Sequence, residues 1–399
     1  MKKIVVTFAS NYINHHQLPF CLAMNSQENV DFHFIQVMPM EEKRVEMGWS
    51  VDIEQYPFVS LWYEEKEKCK VLILKSDVTI LGWTEGVLGE TEEKRLSSGK
   101  LTFRVSERIY REGQWKAISP KGLVHKYKEH IRYRNKPVYL LCAGAYVASD
   151  FALIHSYPGK MLKWGYFPDV KIQKKEFCDV KNKKIKLCWA GRLIDLKHPE
   201  YAINAAKVLC DKGYDFSLEI IGDGNKRDYI KNLIHSYGLE DKVELPGAMK
   251  PKEVLDKMRQ ADVFLFTSNY LEGWGAVVNE AMGSGLCTIA SYEAGSVPYL
   301  IEDGINGITY KCGKYDDFVE KLLELFANCG KVPEISQNAQ KTISEKWNAE
   351  NAAKEFIRFS IEYLEGKEPK LALDGPMSKA YVIRPAGFFR TMKEKNRLE

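Results

Sequence analysis

Two glutamates, Glu272 and Glu280, lie eight positions apart in a glycine-containing segment that follows an apolar run. The apolar run predicts a buried strand over residues 263–266, and the residues after the segment predict a helix over 277–283. Eight positions within one helix turn through about 800°, so the two carboxylates would face different directions. We therefore expect Glu272 in the loop and Glu280 in the helix, both facing one ligand. Carboxylate oxygens accept hydrogen bonds from paired sugar hydroxyls, so the segment favours a sugar site over an acid–base pair.

The residues around Glu272 would let a ligand approach the backbone. Gly273 and Gly275 flank Trp274, and a residue without Cβ allows backbone N–H groups to come close to a ligand. The N-terminus of the predicted helix carries unpaired N–H donors and the positive end of the helix dipole, which favour a phosphate. The alternative is a surface loop with two solvated carboxylates.

A second segment follows a strand predicted over residues 184–189 and contains Gly191, Arg192 and Lys197. On such a loop, Arg192 and Lys197 could clamp a diphosphate, the first through its planar fork and the second as a point charge. Basic residues on loops are usually only solvated. The indication of a site comes from their position at the same predicted sheet edge as the glutamates.

In the first half of the chain, a polar loop at residues 10–17 follows the first predicted strand. It contains Asn14, His15 and His16, whose side chains could contact a phosphate or an acceptor molecule. We expect adjacent histidines to point in different directions, so that at most one of them reaches a site. The alternative for this loop is capping of the next helix. Glu107, at the end of another predicted strand, is a further candidate for the same side of the molecule.

Strands and helices alternate twice along the chain, which predicts two sets of βαβ units, each on a parallel sheet. The predicted strands lie at 4–8, 32–37, 71–74, 78–81, 101–105, 137–142, 184–189, 218–221, 243–245, 263–266 and 287–290. The predicted helices lie at 199–212, 226–237, 251–260, 277–283 and 349–364, with a further one from residue 19. The fold class is therefore α/β, with two Rossmann-like domains facing across a cleft. We expect an N-terminal acceptor domain over 1–165, a donor domain over 166–345, and a helix over 346–399 that crosses back and ends in a basic tail; the linker falls between 158 and 186.

The second block carries several motifs in a fixed order. They are Gly191-Arg192-Leu193 with Lys197, the strand and turn at 218–224, the glutamate pair, and the segment at 295–307. Over residues 184–310 these motifs resemble the C-terminal domain of retaining glycosyltransferases of family 4 (glycosyl transferases group 1), which implies a GT-B fold. Gly222-Asp223-Gly224 could also open a dinucleotide fingerprint, but Arg227 stands where the third glycine belongs.

The resemblance implies a role for each matching residue. Arg192 and Lys197 would bind the diphosphate of a nucleotide-sugar donor. Glu272 would hold the donor sugar, and Glu280 would bind the ribose. Backbone at Gly191, Gly222, Gly247, Gly273, Trp274, Gly275, Val277 and Val278 would complete the donor site. With His16 added from the N-terminal loop, the predicted catalytic residues are Arg192, Lys197, Glu272 and His16, and the acceptor-side candidates are Asn14, His15, His16 and Glu107.

The expected reaction moves a hexose from a UDP-sugar, or a GDP-sugar, to a hydroxyl of a glycan or a lipid-linked acceptor, in bacterial surface polysaccharide synthesis. The resemblance implies retention of anomeric configuration and no metal, and we expect no cofactor. Two alternatives stay open at this point. One is a sugar-nucleotide epimerase on the same fold, and the other is a nucleotide-sugar-binding protein that has lost catalysis.

Composition limits the partners. The net charge of +4 over 399 residues is too small for the basic face of a nucleic-acid-binding protein. Nine cysteines without a CxxC pair indicate reduced thiols in a cytoplasmic protein, and no stretch approaches the ~20 apolar residues of a membrane span. The tail at residues 375–399 mixes basic and aromatic side chains, so we expect peripheral contact of this tail with the inner face of the membrane. The alternative is that the tail packs on the first domain or frays.

Overall fold

The computed structural model describes residues 3–46, 50–172 and 184–385. The chain divides into two compact units: unit 1 comprises residues 1–169 and 348–399, and unit 2 comprises residues 170–347. Each unit is built on one parallel sheet with helices between its strands. The predicted fold class of two Rossmann-like α/β domains is therefore confirmed.

Unit 1 contains a seven-stranded sheet in the order β3-β2-β1-β4-β5-β6-β7. Its strands are β1 (Ile4–Ser10), β2 (Val30–Gln36), β3 (Val59–Leu61), β4 (Val78–Leu81), β5 (Thr102–Ser106), β6 (Val138–Ala143) and β7 (Met161–Trp164). Its first helices are α1 (Leu18–Asn25), α2 (Glu42–Glu46), α3 (Lys66–Lys75), α4 (Glu90–Ser97), α5 (Pro120–Glu129) and α6 (Val147–Leu153). The order of the strands reverses at β1, because β2 and β4 lie on either side of it and both run parallel to it. Ligands of such sheets bind at the carboxyl ends of the strands, beside the point of reversal.

Unit 2 contains a six-stranded sheet in the order β10-β9-β8-β11-β12-β13. Its strands are β8 (Ile185–Ala190), β9 (Phe216–Ile221), β10 (Val243–Gly247), β11 (Val263–Phe266), β12 (Cys287–Ser291) and β13 (Ile308–Tyr310). Its helices are α7 (Pro199–Asp211), α8 (Arg227–Tyr237), α9 (Pro251–Gln260), α10 (Val277–Gly283), α11 (Val297–Leu300), α12 (Tyr315–Ala327) and α13 (Val332–Glu345). The point of reversal lies between β8 and β11, which are hydrogen-bonded neighbours.

The last helix, α14 (Ala349–Leu364), belongs to unit 1. Its Phe356 ring packs on Phe103 of β5, with centroids 4.7 Å apart, and on Phe20 of α1 at 6.2 Å. These aromatic contacts explain why a helix so late in the sequence joins the first unit. Residues 386–399, which hold most of the charged residues of the predicted basic tail, lie outside the described residues.

One predicted strand is wrong. Residues 71–74 belong to α3, whose buried side chains Cys69 and Ile73 are four positions apart and so share a helix face. Val71, in the middle of the apolar run, is half exposed. A short apolar run cannot distinguish a strand from a buried helical turn, and the lysines around this run are good helix formers.

The linker prediction was also too broad. Residues 158–186 include β7, an edge strand that pairs with β6, and residues 173–183 of this range lie outside the described residues. The strand predicted at 101–105 corresponds to β5, and α4 precedes it. None of the helices in the described ranges combines the length and the apolar character that crossing a bilayer requires.

Candidate functional site

The loops that follow β8 and β11 are tied together at the carboxyl edge of the unit 2 sheet. The N–H of Asn269 donates to the carbonyl of Leu196 at 2.8 Å. The hydroxyl of Thr267 donates to the carbonyl of Lys197 at 2.6 Å and accepts from the indole N–H of Trp189 at 2.8 Å. These bonds fix the two segments that the sequence singled out, so their side chains meet at one place.

Lys197 and Glu272 form an ion pair between these loops. Only 14% of the lysine side chain and 13% of the glutamate side chain are exposed. The ammonium also lies 5.9 Å from the centre of the Phe266 ring, at the end of β11. A phosphate bound by Lys197 would therefore have to share the ammonium with a carboxylate, which the sequence alone did not indicate.

Arg192 is the exposed cation of this edge. It comes two residues after the end of β8, next to Gly191, and it is exposed. Among the described residues, no carboxylate or carbonyl engages its guanidinium. Its five N–H donors are thus available to a ligand, and a guanidinium binds phosphate oxygens in a bidentate manner.

Glu280 lies in the first turn of α10 and is half-buried. Burial raises the pKa of its carboxyl group to about 7, although the positive charge of Lys197 acts in the opposite direction. Within the described parts of the chain, its carboxylate has no hydrogen bond of its own. The ion pair, Arg192 and Glu280 therefore lie in the segments that follow β8 and β11, at one edge of the unit 2 sheet.

Three of the predicted glycines meet at the ends of neighbouring strands. The N–H of Gly222 donates to the carbonyl of Gly247 at 2.9 Å, and the N–H of Gly191 donates to that of Ile221 at 3.0 Å. Gly222 has a φ of +143°, and a Cβ at this position would lie 1.8 Å from the carbonyl oxygen of Gly191. Any side chain here would push the β8 and β9 loops apart.

Of the backbone donor contacts predicted around α10, the one at Val278 needs correction, and the Trp274 ring lies in the core. The Trp274 side chain is 1% exposed, and its indole N–H donates to Asn279 at 2.8 Å. Its ring belongs to the core, so only its backbone could reach a ligand. The N–H of Val278 donates to the carbonyl of Gly275 at 2.9 Å. This amide is already used, and the predicted phosphate contact would fall to Val277.

The backbone of Gly273 and Gly275 is closely packed. A Cβ on Gly275, whose φ is +83°, would lie 2.7 Å from the Phe266 ring. A Cβ on Gly295 would lie 1.7 Å from the carbonyl oxygen of Gly273. The glycines therefore allow chain segments to pack against one another, in addition to any approach of a ligand.

Sequence reasoning missed a polar network behind Lys197. The backbone of His198 has a φ of +45°. Its ring lies 2.8 Å from Glu200 and 3.2 Å from the side-chain amide of Asn269. Glu200 also pairs with Lys226 at 3.1 Å. Burial alone would raise the pKa of Glu200, but its hydrogen bond to His198 and the charge of Lys226 lower it. The network fixes the turn that carries Lys197. In the sequence, the sign of this network was His198 directly before Pro199, which starts α7.

In unit 1, the prediction that the two adjacent histidines point in different directions was wrong. The rings of His15 and His16 pack with centroids 3.9 Å apart. Burial lowers the pKa of His15 to about 4, and burial with the charge of His15 lowers that of His16 to about 3. Both rings are therefore neutral at pH 7. The side-chain oxygen of Asn14 accepts from the N–H groups of His16 and Gln17, so Asn14 stabilises the turn before α1.

Tyr166 joins His16 to Glu107. Its ring stacks on His16 at 5.9 Å, and its hydroxyl donates to Glu107 at 2.6 Å. Glu107 also pairs with Arg111, and the Trp83 ring lies 5.8 Å from Tyr166. The structure thus brings two predicted acceptor-side residues into one aromatic and acidic cluster. Tyr166 itself was missed, because it lies in the range assigned to the linker.

Among residues 3–46, 50–172 and 184–385, no group of three histidine, cysteine, aspartate or glutamate side chains is arranged to hold a metal ion.

Part of the chain resembles known proteins in sequence. Residues 171–342 match the family model described as Glycosyl transferases group 1. An uncharacterized glycosyltransferase of Methanocaldococcus jannaschii is 28% identical over 187 residues, which are 47% of this chain and 47% of that protein. Alpha-D-kanosaminyltransferase of Streptomyces kanamyceticus is 32% identical over 139 residues, which are 34% of this chain and 36% of that protein. The matches span about half or less of the length of these relatives.

Two solved structures resemble most of the chain. Anabaena HepE in complex with UDP aligns with a TM-score of 0.66 and 16% identity, covering 91% of this chain and 100% of that one. The apo form of the lipopolysaccharide outer core galactosyltransferase WaaB aligns with a TM-score of 0.64 and 17% identity, covering 90% and 99%. At these identities the likeness concerns the fold, and it shows that the two units have the GT-B fold of such glycosyltransferases.

Proposed function

We propose that this chain is a retaining glycosyltransferase that moves a hexose from a nucleotide-diphosphate sugar to a hydroxyl group. One arrangement supports this above all: the Lys197–Glu272 ion pair holds a cation and a carboxylate at the carboxyl ends of adjacent strands. Arg192 lies on the same loop as Lys197, and Glu280 lies in α10, the helix that follows the loop of Glu272. Both residues are inside the segment that matches the family model. The diphosphate of a nucleotide-sugar donor would need the cations, and its hydroxyl groups would need the carboxylates.

Each charged group has a role in the proposal. Arg192 would grip the diphosphate in a bidentate manner, and Lys197 would contribute a second positive charge. Glu272 would then turn from the ammonium to the hydroxyls of the sugar. Glu280 would accept hydrogen bonds from the ribose when its carboxyl group is ionised.

Transfer breaks the bond between the sugar and the diphosphate, and negative charge develops on the leaving phosphate. Fixed cations at that position stabilise the transition state more than the bound donor, which is what accelerates a reaction. We propose that Arg192 and Lys197 supply this charge and that no metal or cofactor takes part. Transfer with retention follows from the family resemblance, and the leaving phosphate would accept the proton of the incoming hydroxyl.

A uridine nucleotide and a polysaccharide acceptor are the preferred substrates. HepE was solved with UDP and with UDP-glucose, which favours UDP over GDP for a similar fold. Relatives of this chain include glycosyltransferases of colanic acid and amylovoran biosynthesis, which favours a glycan or lipid-linked acceptor of a bacterial surface polysaccharide. The acceptor would meet the neutral His16 ring and Glu107 of unit 1, and synthesis would take place on the cytoplasmic side of the membrane.

The Lys197→Ala variant tests the proposal. We expect kcat/KM for sugar transfer to fall by about 10²-fold or more, because a preorganised charge at the leaving group is lost. Transfer is measured as release of nucleoside diphosphate that depends on acceptor, and proton NMR of the product reports its anomeric configuration. Chelation of divalent metals should leave the rate unchanged.

Lys257→Ala is the matched control. Lys257 forms an ion pair with Glu219 at 2.7 Å in the same unit, with 38% and 19% of the side chains exposed. It should retain the wild-type rate and a similar melting temperature. A folded Lys197→Ala enzyme with the wild-type rate would overturn the assignment, as would a product of inverted configuration for the retaining mechanism.

A further inference from the structure

Helix α5 of unit 1 directs its apolar side chains away from the protein. Leu123, Val124 and Tyr127 are 38%, 59% and 56% exposed, and Ile118, just before the helix, is 72% exposed. No residue of α5 is buried. At 100° per residue, the three helical side chains fall within about 100° of one another and form one stripe. We call these four residues the α5 apolar face.

The opposite side of α5, which faces the protein, is polar. Gly122, Lys126 and Glu129 are its least exposed residues. Glu129 pairs with Lys126 at 2.7 Å and with His125 at 3.0 Å, and its carbonyl accepts from the guanidinium of Arg104. A surface helix normally buries its apolar stripe and exposes its charges. Folding of unit 1 therefore does not explain the outward direction of the α5 apolar face.

The helix is fixed at its C-terminal end by the bond from Arg104 to the carbonyl of Glu129, and further contacts lie at and before its first turn. Pro120 occupies the first turn, and the Ser119 hydroxyl accepts from the N–H of Gly122. Before the helix, the Gln114 side chain donates to the buried Asp150 at 2.9 Å. These contacts make rotation of the apolar stripe into the core costly, because the polar bonds of the inner side would be lost.

Unpaired positive charge borders the α5 apolar face. Lys121 and Lys128 are exposed on one side of it, and among the described residues neither forms an ion pair. The nearby acids are already paired, Glu112 with Lys116 and Glu129 with Lys126. The rim of the face is therefore basic.

We propose that the α5 apolar face binds an anionic membrane surface, with its apolar side chains inserted at the level of the headgroups. An interfacial helix combines an apolar stripe with flanking lysines in this way, and each basic residue near such a surface adds electrostatic attraction. A second copy of this chain is a poorer partner. A two-fold contact through this face would bring the unpaired lysines of both copies together.

The position of the face suits a lipid-linked acceptor. The chain runs from Glu107, directly after β5, through ten intervening residues to Ile118. This connection is fixed at Asp150, which also accepts from the side chain of Arg108 at 3.1 Å. Membrane contact at α5 would thus hold the acceptor-side cluster of unit 1 beside the lipid surface. Binding itself does not depend on the proposed function and is measured without catalysis.

Flotation of the full chain with lipid vesicles tests the apolar part. The vesicles contain phosphatidylcholine alone or with about 30% phosphatidylglycerol. Wild type should bind only the anionic vesicles, and raising the salt from about 0.1 to about 0.5 M should weaken binding. The triple variant Leu123→Gln, Val124→Gln, Tyr127→Gln should bind about tenfold more weakly or worse.

A matched triple variant controls for the loss of exposed apolar surface. It changes Leu22, Val71 and Tyr229, which are 41%, 50% and 51% exposed on other helices, to glutamine. This variant should bind as wild type does. The proposal would be overturned if the two triple variants bound anionic vesicles equally, whether both retained binding or both lost it.

Charge reversal tests the basic rim. Lys121→Glu with Lys128→Glu should lower binding to anionic vesicles, whereas Lys231→Glu with Lys252→Glu, an equal change of net charge at exposed lysines of unit 2, should not. Replacing Arg390, Lys393, Lys395 and Arg397 of the tail by alanine separates the tail from α5. If the tail variant loses binding and the α5 variants retain it, the proposal is wrong and the tail is the membrane contact.

Discussion

Glu280, in the candidate donor site, has a carboxyl group whose protonation changes near neutral pH. Burial raises the pKa of its carboxyl group to about 7, whereas an unperturbed glutamate has a pKa of about 4.3. An ionised carboxylate accepts hydrogen bonds with both oxygens, while a protonated one must use one oxygen as a donor. Ribose hydroxyls would therefore bind the ionised form better.

We predict that nucleotide affinity rises with pH through about 7 in wild type and that this rise is absent in Glu280→Gln. Isothermal titration with UDP between pH 5.5 and 8.5 (about 1.5 units on either side of 7) would measure it. An identical pH dependence in the variant would show that Glu280 does not bind the nucleotide through its carboxylate.

Glu280 also affects stability, and the direction in which stability changes with pH follows from proton binding. Between about pH 4.3 and 7, the folded protein holds a proton on this carboxyl group that the unfolded chain has lost, so the free energy of unfolding falls as pH rises through this range. Glu280→Gln removes that contribution. We predict that the variant gains roughly 1–3 kcal/mol relative to wild type between pH 4 and 8, measured by urea unfolding. A constant difference between the two proteins would contradict the raised pKa.

At the scale of elements, the donor edge depends on how closely β8 and β9 approach each other. Gly222→Ala would place a methyl group 1.8 Å from the carbonyl oxygen of Gly191, at a φ of +143°. We predict a loss of at least about 2–3 kcal/mol in stability and weaker UDP binding, because the loop after β8 must move. Urea unfolding and UDP titration would measure the two effects.

Gly238→Ala provides the control for backbone strain alone. Gly238 ends α8 with a φ of +63°, and a Cβ there would meet nothing within 4 Å. It should lose only about 1 kcal/mol, with UDP binding unchanged. If the two variants lose equal stability and bind UDP equally well, the close approach of the strands is not what supports the site.

The elements of unit 2 could be predicted from sequence because apolar runs, glycines and helix-starting prolines agree there. Pro199 and Pro251 both begin helices where expected. The run at residues 71–74 was misassigned as a strand, because a short apolar run fits either element. The structure shows a helix that buries Cys69 and Ile73, which are four positions apart. Trp274 shows a similar limit: its place between two glycines indicated a backbone contact with a ligand, but no local pattern indicated that its ring packs on Trp347, far along the chain.

At the scale of the whole molecule, the two units differ in how much of their sites the sequence could reveal. In unit 2 the site residues lie in motifs that follow strands, so their order indicated their proximity. In unit 1 the cluster depends on Tyr166, which contacts His16 from 150 positions away. No local pattern predicts such a contact. The acceptor side was therefore only partly foreseen.

The assignment of the donor site to unit 2 predicts where a nucleoside diphosphate slows hydrogen exchange. A nucleoside diphosphate that binds the donor edge removes opening motions of the loops it contacts, so amides at residues 191–198 and 269–276 should exchange more slowly. Measured by mass spectrometry with and without UDP, the loop at residues 11–17 should change less than these two segments, because its histidines are neutral and offer no charge to a diphosphate. Protection confined to residues 11–17 and 107–111 would instead assign the nucleotide to unit 1. In that case the Lys197–Glu272 pair would be a structural link between the β8 and β11 loops, and the donor site would have to be sought around Tyr166.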